Sequence, residues 1–418
     1  MHMDMKGRVV ESRIFWTLCI MGAFAILSST MSKNPVLKPF ASFLGAPTEW
    51  TGVIAAASTM PGILVSLPAA SLSDILGRRK FLIVAGVVFA SAPFLYVFIT
   101  AWWQLILVRF YHGFATAIFV PVAEASIAEL YPTRRGERIS LFSSVTYVGR
   151  FFAPLTGGYL LMVTSNDFHV LYLAVGVAGV TALVLGLLFL VEREGRSSAV
   201  SAKSTSETAK KMFSGWGKVA SNHGVLLASF VQACQYYASG AVEFFLVGYL
   251  TEIVHLDLFL TGVISAGLVG TPILARPYMG RVSDKIGRRI PIVVGCLVGG
   301  FALLAIPFVS LFPILLFLAL AYGLGFAMVT ASTPALVSEL VPRELVGTSM
   351  GFLDTLMDVG QTIGPIITGL ILATKYEYFG SFGALALVLI VSSVIFLISG
   401  VAKENLSATQ SSRVLRKE

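Results

Sequence analysis

Twelve long, almost uninterrupted apolar runs constrain this chain more than any other feature. They fall at about 14–39, 48–72, 81–100, 103–129, 139–163 and 169–191, then at about 223–250, 257–281, 290–309, 313–339, 347–373 and 377–401. A helix needs about 20 apolar residues to cross the hydrocarbon of a bilayer. Only helices and closed barrels satisfy their backbone polar groups there. Barrel strands alternate apolar and polar residues over about 10 positions, and these runs are continuous. The expected fold is therefore an all-α membrane protein with 12 transmembrane helices. Composition agrees: 12% of residues are charged, against about 25% in a soluble domain. With 56% of residues hydrophobic besides, the composition excludes disordered chains, collagen-like chains and disulfide scaffolds and argues strongly against a soluble enzyme.

The net charge of +8 raises the question of a nucleic-acid partner, and the placement of the charges answers it. Of 30 Lys and Arg, Lys33, Lys38 and Lys375 fall in outside loops or helix ends, and Arg109, Arg150 and Arg276 fall inside helices. The other 24 lie in the N-terminus, alternate short loops, a central loop and the tail. Positive loops stay in the cytoplasm, so an even number of spans with both termini cytoplasmic is expected, in the cell (inner) membrane. The basic balance sets topology and implies the lipid bilayer as partner, with no nucleic acid. Trp102 and Trp103, at the outer start of the fourth span, suit an interfacial aromatic belt. Cys19, Cys234 and Cys296 all lie in apolar runs and offer no sign of a disulfide. The first apolar run lacks a small-residue cleavage site and reads as a span, not a removable leader.

The two halves repeat. A shift of 210 positions aligns Thr51-Gly52-Val53-Ile54 with Thr261-Gly262-Val263-Ile264, and Ser73-Asp74 with Ser283-Asp284. It also aligns Gly77-Arg78-Arg79 with Gly287-Arg288-Arg289, Gly113 with Gly323, and Glu129-Leu130 with Glu339-Leu340. A shift of 211 matches Gly149, Pro154 and Gly158 to Gly360, Pro365 and Gly369. Parallel six-span repeats are a transporter architecture. Two six-helix bundles related by pseudo-two-fold symmetry are expected, at 1–191 and 223–402. A Ser- and Lys-rich cytoplasmic linker at 192–222 joins them, and a tail at 403–418 follows. Spans three, six, nine and twelve carry no charge within their apolar cores. Ionised side chains are costly against lipid, so these four helices are expected outermost and the charged ones innermost.

The loop after span two reads Ser73-Asp74-Ile-Leu-Gly77-Arg78-Arg79, and the loop after span eight reads Ser283-Asp284-Lys-Ile-Gly287-Arg288-Arg289. The glycine permits a turn that a Cβ hinders, and the Asp suits an Arg partner or a helix N-terminus. Doubled in a 12-span chain, this pattern resembles motif A of the major facilitator superfamily. The resemblance implies a rocking, alternating-access transporter in which Asp74, Gly77, Arg78, Asp284, Gly287 and Arg288 form a conformational latch. Topology anchoring alone is the plainer reading of the same residues.

Two further segments extend the likeness. Arg109-Phe-Tyr-His112-Gly113 in span four is similar to the family's RxxQG motif, with His112 in place of Gln. At about 100° per residue, Arg109, His112, Thr116 and Glu124 share roughly 120° of arc. An ionisable stripe on a membrane helix marks a functional site, although an Arg109 satisfied by backbone carbonyls is the structural alternative. Histidine also adds a side chain that changes charge near neutral pH. In span five, Gly149-Arg150-Phe-Phe-Ala153-Pro154-Leu-Thr-Gly157-Gly158 resembles motif C of the drug:proton antiporter families. The resemblance implies export, with Gly149, Pro154, Gly157 and Gly158 packing closely against another helix. Arg150 is unusual inside that motif and is expected to disturb the packing.

Span seven carries Gln232, Gln235, Tyr236, Ser239 and Glu243 within about 100° of arc, a candidate substrate-cavity stripe. The 210 shift sets Lys33 opposite Glu243 and Ser29 opposite Ser239. Lys33 and Glu243 then form an outer gate, bind substrate, or simply snorkel at the interface. In span eleven Asp354, Asp358 and Gln361 share a face, with Arg150 and Arg276 as candidate cations for Asp358. A proton carrier needs a carboxylate that is buried in one state and wet in another. Glu124, Asp358 and Glu243, with His112, are the coupling candidates. Lys33, Arg109, Thr116, Gln232, Gln235, Tyr236, Ser239 and Arg150 are the cavity candidates.

The expected function is secondary active transport by a monomer: proton-coupled efflux of amphipathic small molecules, with Tyr236, Tyr237, Phe244 and Phe245 as an adaptable wall. Proton-coupled uptake of a small organic anion is the alternative, using Arg109, Arg150, Arg276 and Lys33. A non-transporting sensor is a third reading, from another class. No HExxH, GxSxG or Walker lysine loop argues for an enzyme or for ATP-driven work, and neither cofactor nor metal is expected.

Overall fold

The computed structural model describes residues 5–131, 134–190, 219, 221–342 and 345–401. Every regular element among them is helical: α1 (Met5–Met31), α2 (Leu37–Phe43), α3 (Thr48–Ala56), α4 (Met60–Leu76), α5 (Arg78–Val97), α6 (Trp102–Leu130), α7 (Arg135–Val163) and α8 (Phe168–Phe189). The second half continues with α9 (His223–Gly248), a π-helical turn at Tyr249–Ile253, α10 (Leu258–Ile286) and α11 (Arg289–Ala305). A 3₁₀ turn at Ile306–Phe308, α12 (Phe312–Glu339), α13 (Val346–Leu372) and α14 (Glu377–Ile398) complete the order. The expected linker at 192–222, apart from Val219, Ser221 and Asn222, and the tail at 403–418 lie outside the described residues.

Nine of the described helices are long and apolar enough to cross a membrane. The other three expected spans have visible reasons for falling short. Span two is interrupted at Ala57–Thr59 into α3 and α4. Helix α7 opens on Arg135, Glu137 and Arg138 and carries Arg150, and α9 carries Gln232, Gln235 and Glu243. Large side chains such as Leu64, Leu107, Val177, Phe317 and Leu387 face outward. That is the pattern of helices solvated by lipid.

Packing divides the chain into two units, and the division falls inside α9 and α10. The first holds Met1–Thr205 with Glu243–Ala266, the second Ser206–Val242 with Gly267–Glu418. In the first, α1 packs on α7 and α8, and α5 on α6 and α8. Its core gathers Phe15, Leu18, Phe89, Phe119 and Phe142, all buried. In the second, α11 packs on α12 and α14 around Val231, Ile292, Cys296, Val329 and Phe396. The four spans whose apolar cores lack charge pair with each other, α5 with α8 and α11 with α14.

Glycines set the closest approaches. A Cβ on Gly149 would overlap the carbonyl of Ala23 on α1, and one on Gly360 would overlap the carbonyl of Ala233 on α9. The fifth helix of each half thus rests on the first at equivalent positions. Gly158 and Gly262 lie equally close to the backbone of Leu258 and Pro154. Arg150 does not disturb this packing: Gly149 keeps its contact with α1 while the neighbouring guanidinium points elsewhere. The turns after α4 and α10 run through Gly77 at φ 98° and Gly287 at φ 87°, backbone conformations that favour glycine.

Candidate functional sites in the membrane helices

Two cations of the first unit converge on one carboxylate. Glu243, on α9 and 5% exposed, receives Lys33 Nζ at 2.8 Å on Oε2 and Arg150 Nη2 at 2.8 Å on Oε1. Asn34 Nδ2 donates to Oε2 at 3.4 Å. Lys33 and Asn34 lie in the turn that follows α1, and Arg150 reaches in from α7. Lys33 is therefore placed by a turn, not a span, and Arg150 pairs with Glu243 within the first unit. A second pair lies close in sequence on both sides: Lys38 Nζ meets Glu252 Oε1 at 2.6 Å, and Ser42 Oγ bonds both at 3.1 and 3.0 Å. Removal of one partner from a buried pair leaves an uncompensated charge, so the Glu243 cluster ties α1, α7 and α9 together.

Arg109 is 2% exposed on α6. Its Nη2 donates to Ser58 Oγ at 2.5 Å, in the break between α3 and α4. Gly113 holds that break close, because a Cβ there would overlap the Ser58 carbonyl. His112 is buried edge-on to Phe89 and Tyr96, with ring centroids at 6.2 and 6.0 Å. Tyr96 in turn stacks on Tyr172 at 4.4 Å. Thr116, half-buried, bonds back to the Gly113 carbonyl at 3.2 Å. Glu124 is half-buried and about 22 Å from Arg109 along the helix at 1.5 Å per residue. The stripe on α6 thus spans two separate environments.

The polar face of α9 divides likewise. Gln232 accepts from Thr333 on α12, and Gln235 Oε1 lies 4.0 Å from Cys296 Sγ on α11, both deep in the second unit. Tyr236 accepts a 3.4 Å bond from Arg276, whose Nε donates to Thr330 at 3.1 Å and whose guanidinium lies over Phe326. Ser239 is buried, and Glu243 belongs to the first unit. On α13, Asp354 is exposed and Asp358 and Gln361 are half-buried. The two Asp are one turn apart and repel each other. Among the described residues, neither of these Asp pairs with a cation.

The two motif A loops share one internal geometry. Arg78 donates to Ser73 Oγ at 2.8 Å and to Glu129 at 2.8 Å. Arg288 donates to Ser283 Oγ at 3.0 Å and grips Glu339 through Nε and Nη2 at 3.0 and 2.8 Å, with Asp284 as a further ion partner. Burial opposes the Arg288 charge, yet its bonds to Glu339 and Asp284 raise its pKa above the ordinary value. The Asp74 side chain lies outside the described residues. Glu129 and Glu339 were absent from the expected latch, and their signal was already in the repeat, where the 210 shift pairs them. Glu252 had a weaker signal, being 210 positions after Ser42. Among the described residues, no three His, Cys, Asp or Glu side chains gather as a metal site.

Residues 18–272 and 228–415 match the Major Facilitator Superfamily. The chain belongs to that superfamily. It is a multi-pass membrane transporter, and not an enzyme. It is similar to the multi-drug resistance efflux pump PmrA of Streptococcus pneumoniae, 24% identical over 392 residues that cover 92% of this chain and 95% of that one. It is also similar to the multidrug resistance protein MdtG of Dickeya zeae, 26% identical over 356 residues, 83% of this chain and 82% of the relative. Among solved structures, a bacterial homologue of the human lysosomal transporter Spinster, in an inward-facing and occupied conformation, superposes with a TM-score of 0.77. That match is 14% identical and covers 94% of this chain and 97% of the other. It bears on the fold alone.

Proposed function

We propose that this transporter is a proton-coupled exporter of amphipathic small molecules that works as a monomer in the cell membrane, with both termini cytoplasmic. The observation that carries the reading is the glycine packing of the motif C segment: Gly149 against Ala23 and Gly158 against Leu258. Likeness to PmrA and MdtG over most of the chain supports it. The moving bodies are the halves 1–191 and 223–402, and Arg78–Glu129 and Arg288–Glu339 extend the motif A latch.

Glu243, held by Lys33 and Arg150, is the gate: its ion pairs must break when α9 moves away from α1 and α7. Proton carriage falls to Asp358, which has Asp354 as its neighbour and no cation partner among the described residues, and to Glu124. Everted vesicles test the scheme with one fluorescent lipophilic cation and one fluorescent lipophilic acid. Accumulation driven by an acid interior, and lost in Asp358→Asn or Glu124→Gln, is the expected result. Accumulation indifferent to the gradient and to replacement of Glu124, Asp358 and Glu243 refutes proton coupling.

A further inference from the structure

Arg109 is a buried guanidinium with too few acceptors. It presents five N–H donors, and among the described residues Ser58 Oγ accepts one of them, while the buried Tyr96 hydroxyl close by has no hydrogen-bond partner. Its Nε has no partner. Among the described residues, no carboxylate and no backbone carbonyl bonds to it, which removes the structural alternative of an arginine satisfied by its own backbone. A charge withdrawn from water needs a counter-charge or a full set of hydrogen bonds.

The surroundings deepen the imbalance. His112, three residues along the same helix face, buries an Nε2 that also has no partner. Lys33 is close enough to be repelled by Arg109, and its one carboxylate, Glu243, is shared with Arg150. Glu124, the other ionisable group of the α6 stripe, is too far along the helix to compensate. Beside these donors lie three rings, Tyr96 stacked on Tyr172 and Phe89 edge-on to His112, all buried in the packed interior of the first unit.

We propose that Arg109, assisted by Lys33 and His112, receives the anionic head of the transported molecule, so that the exported solute is an amphipathic acid. Arginine suits a planar or tetrahedral oxyanion through charge-assisted hydrogen bonds, and the buried rings beside it keep water from competing for that head group. This inference rests on the export reading for its context, but binding without any gradient tests it separately. Failed proton coupling would leave a binding preference intact.

The test uses the purified full chain in nanodiscs of zwitterionic lipid. Binding is read by thermal shift across a series with one apolar body: 4-phenylbutyrate, its amide, 4-phenylbutylamine and 4-phenylbutyl phosphate. The wild-type protein is expected to half-saturate with the carboxylate or the phosphate at a concentration about tenfold below the amide and amine. The better of those two identifies the head group. Arg109→Gln brings the series within about twofold. Where R109Q fails to fold, Arg109→Lys retains the charge without the planar fork and lowers the preference at least threefold. An amide or amine that binds the wild-type protein as well as the acid overturns the proposal. So does an acid preference unchanged in R109Q, or in R109K where that variant stands in for it.

Discussion

Glu243→Gln provides the sharpest quantitative test of how the first unit is held together. The substitution keeps the shape of the side chain and removes the charge that Lys33 and Arg150 share. The two cations do not suffer equally. The Arg150 side chain is 36% exposed, and water takes over much of the solvation that Glu243 supplied. The Lys33 side chain is 15% exposed and keeps its charge in a largely buried place. Breaking a buried pair from one side costs about 3–5 kcal/mol, and the residual exposure of Lys33 selects the lower end, about 3 kcal/mol. That is roughly two decades in the folding equilibrium at about 1.4 kcal/mol per decade.

Lys33→Met in the same chain removes the stranded charge, so the double variant is expected to be within about 1 kcal/mol of the wild type. The coupling energy is then about 2 kcal/mol or more, within the range for residues in direct contact. Reversible unfolding in mixed micelles, followed by tryptophan fluorescence, gives the four corners of the cycle. Additive losses, with a coupling under about 0.5 kcal/mol, would refute the argument that the buried ammonium is the main cost.

Two glycines on α13 separate backbone contact from helix propensity. Nothing lies within 4 Å of a Cβ on Gly351, so Gly351→Ala is expected to be neutral or to stabilise by about 0.5–1 kcal/mol. Gly360→Ala drives a methyl into the Ala233 carbonyl and is expected to cost about 1–3 kcal/mol, measured by the same unfolding assay. A G360A protein as stable as G351A would remove the close α9–α13 approach. In the motif A loops, Glu339→Gln keeps an acceptor oxygen but removes the charge behind two bonds from Arg288, and is expected to cost about 1 kcal/mol, discounted for the 44% exposure of the Glu339 side chain. Glu129→Gln removes the charge behind one bond on a 62% exposed side chain and is expected to cost half that or less. Equal losses, or losses that persist unchanged in high salt, would contradict this ordering.

Much of the architecture was readable along the chain because its governing rules act locally. The turn glycines Gly77 and Gly287 were legible because a positive φ excludes most side chains wherever it occurs. Gly149 and Gly360 were legible as a repeated pair because close helix contact leaves room for no side chain. Other positions were hidden. Gln232 and Gln235 share a face with Tyr236 and Glu243 on a helical wheel, yet the amide oxygens of the first two turn to Thr333 and Cys296 within the second unit. Arg150 read as an intruder in a packing motif, while its guanidinium reaches past that contact to Glu243. A wheel fixes the direction of a side chain in the frame of its own helix. It does not say which neighbour stands there, or at what depth.

By itself the sequence determined a twelve-run, all-helical membrane protein with a duplicated half. Bilayer thickness and the need to satisfy every backbone polar group impose their pattern residue by residue, and duplication leaves its register in the chain. Only the tertiary structure decided that Glu243 serves Lys33 and Arg150, which lie 210 and 93 positions away. It alone showed that Arg109 lies buried among the described residues without a carboxylate. Charge compensation falls off with distance in space, and spatial distance is set by how helices pack, not by their separation along the chain.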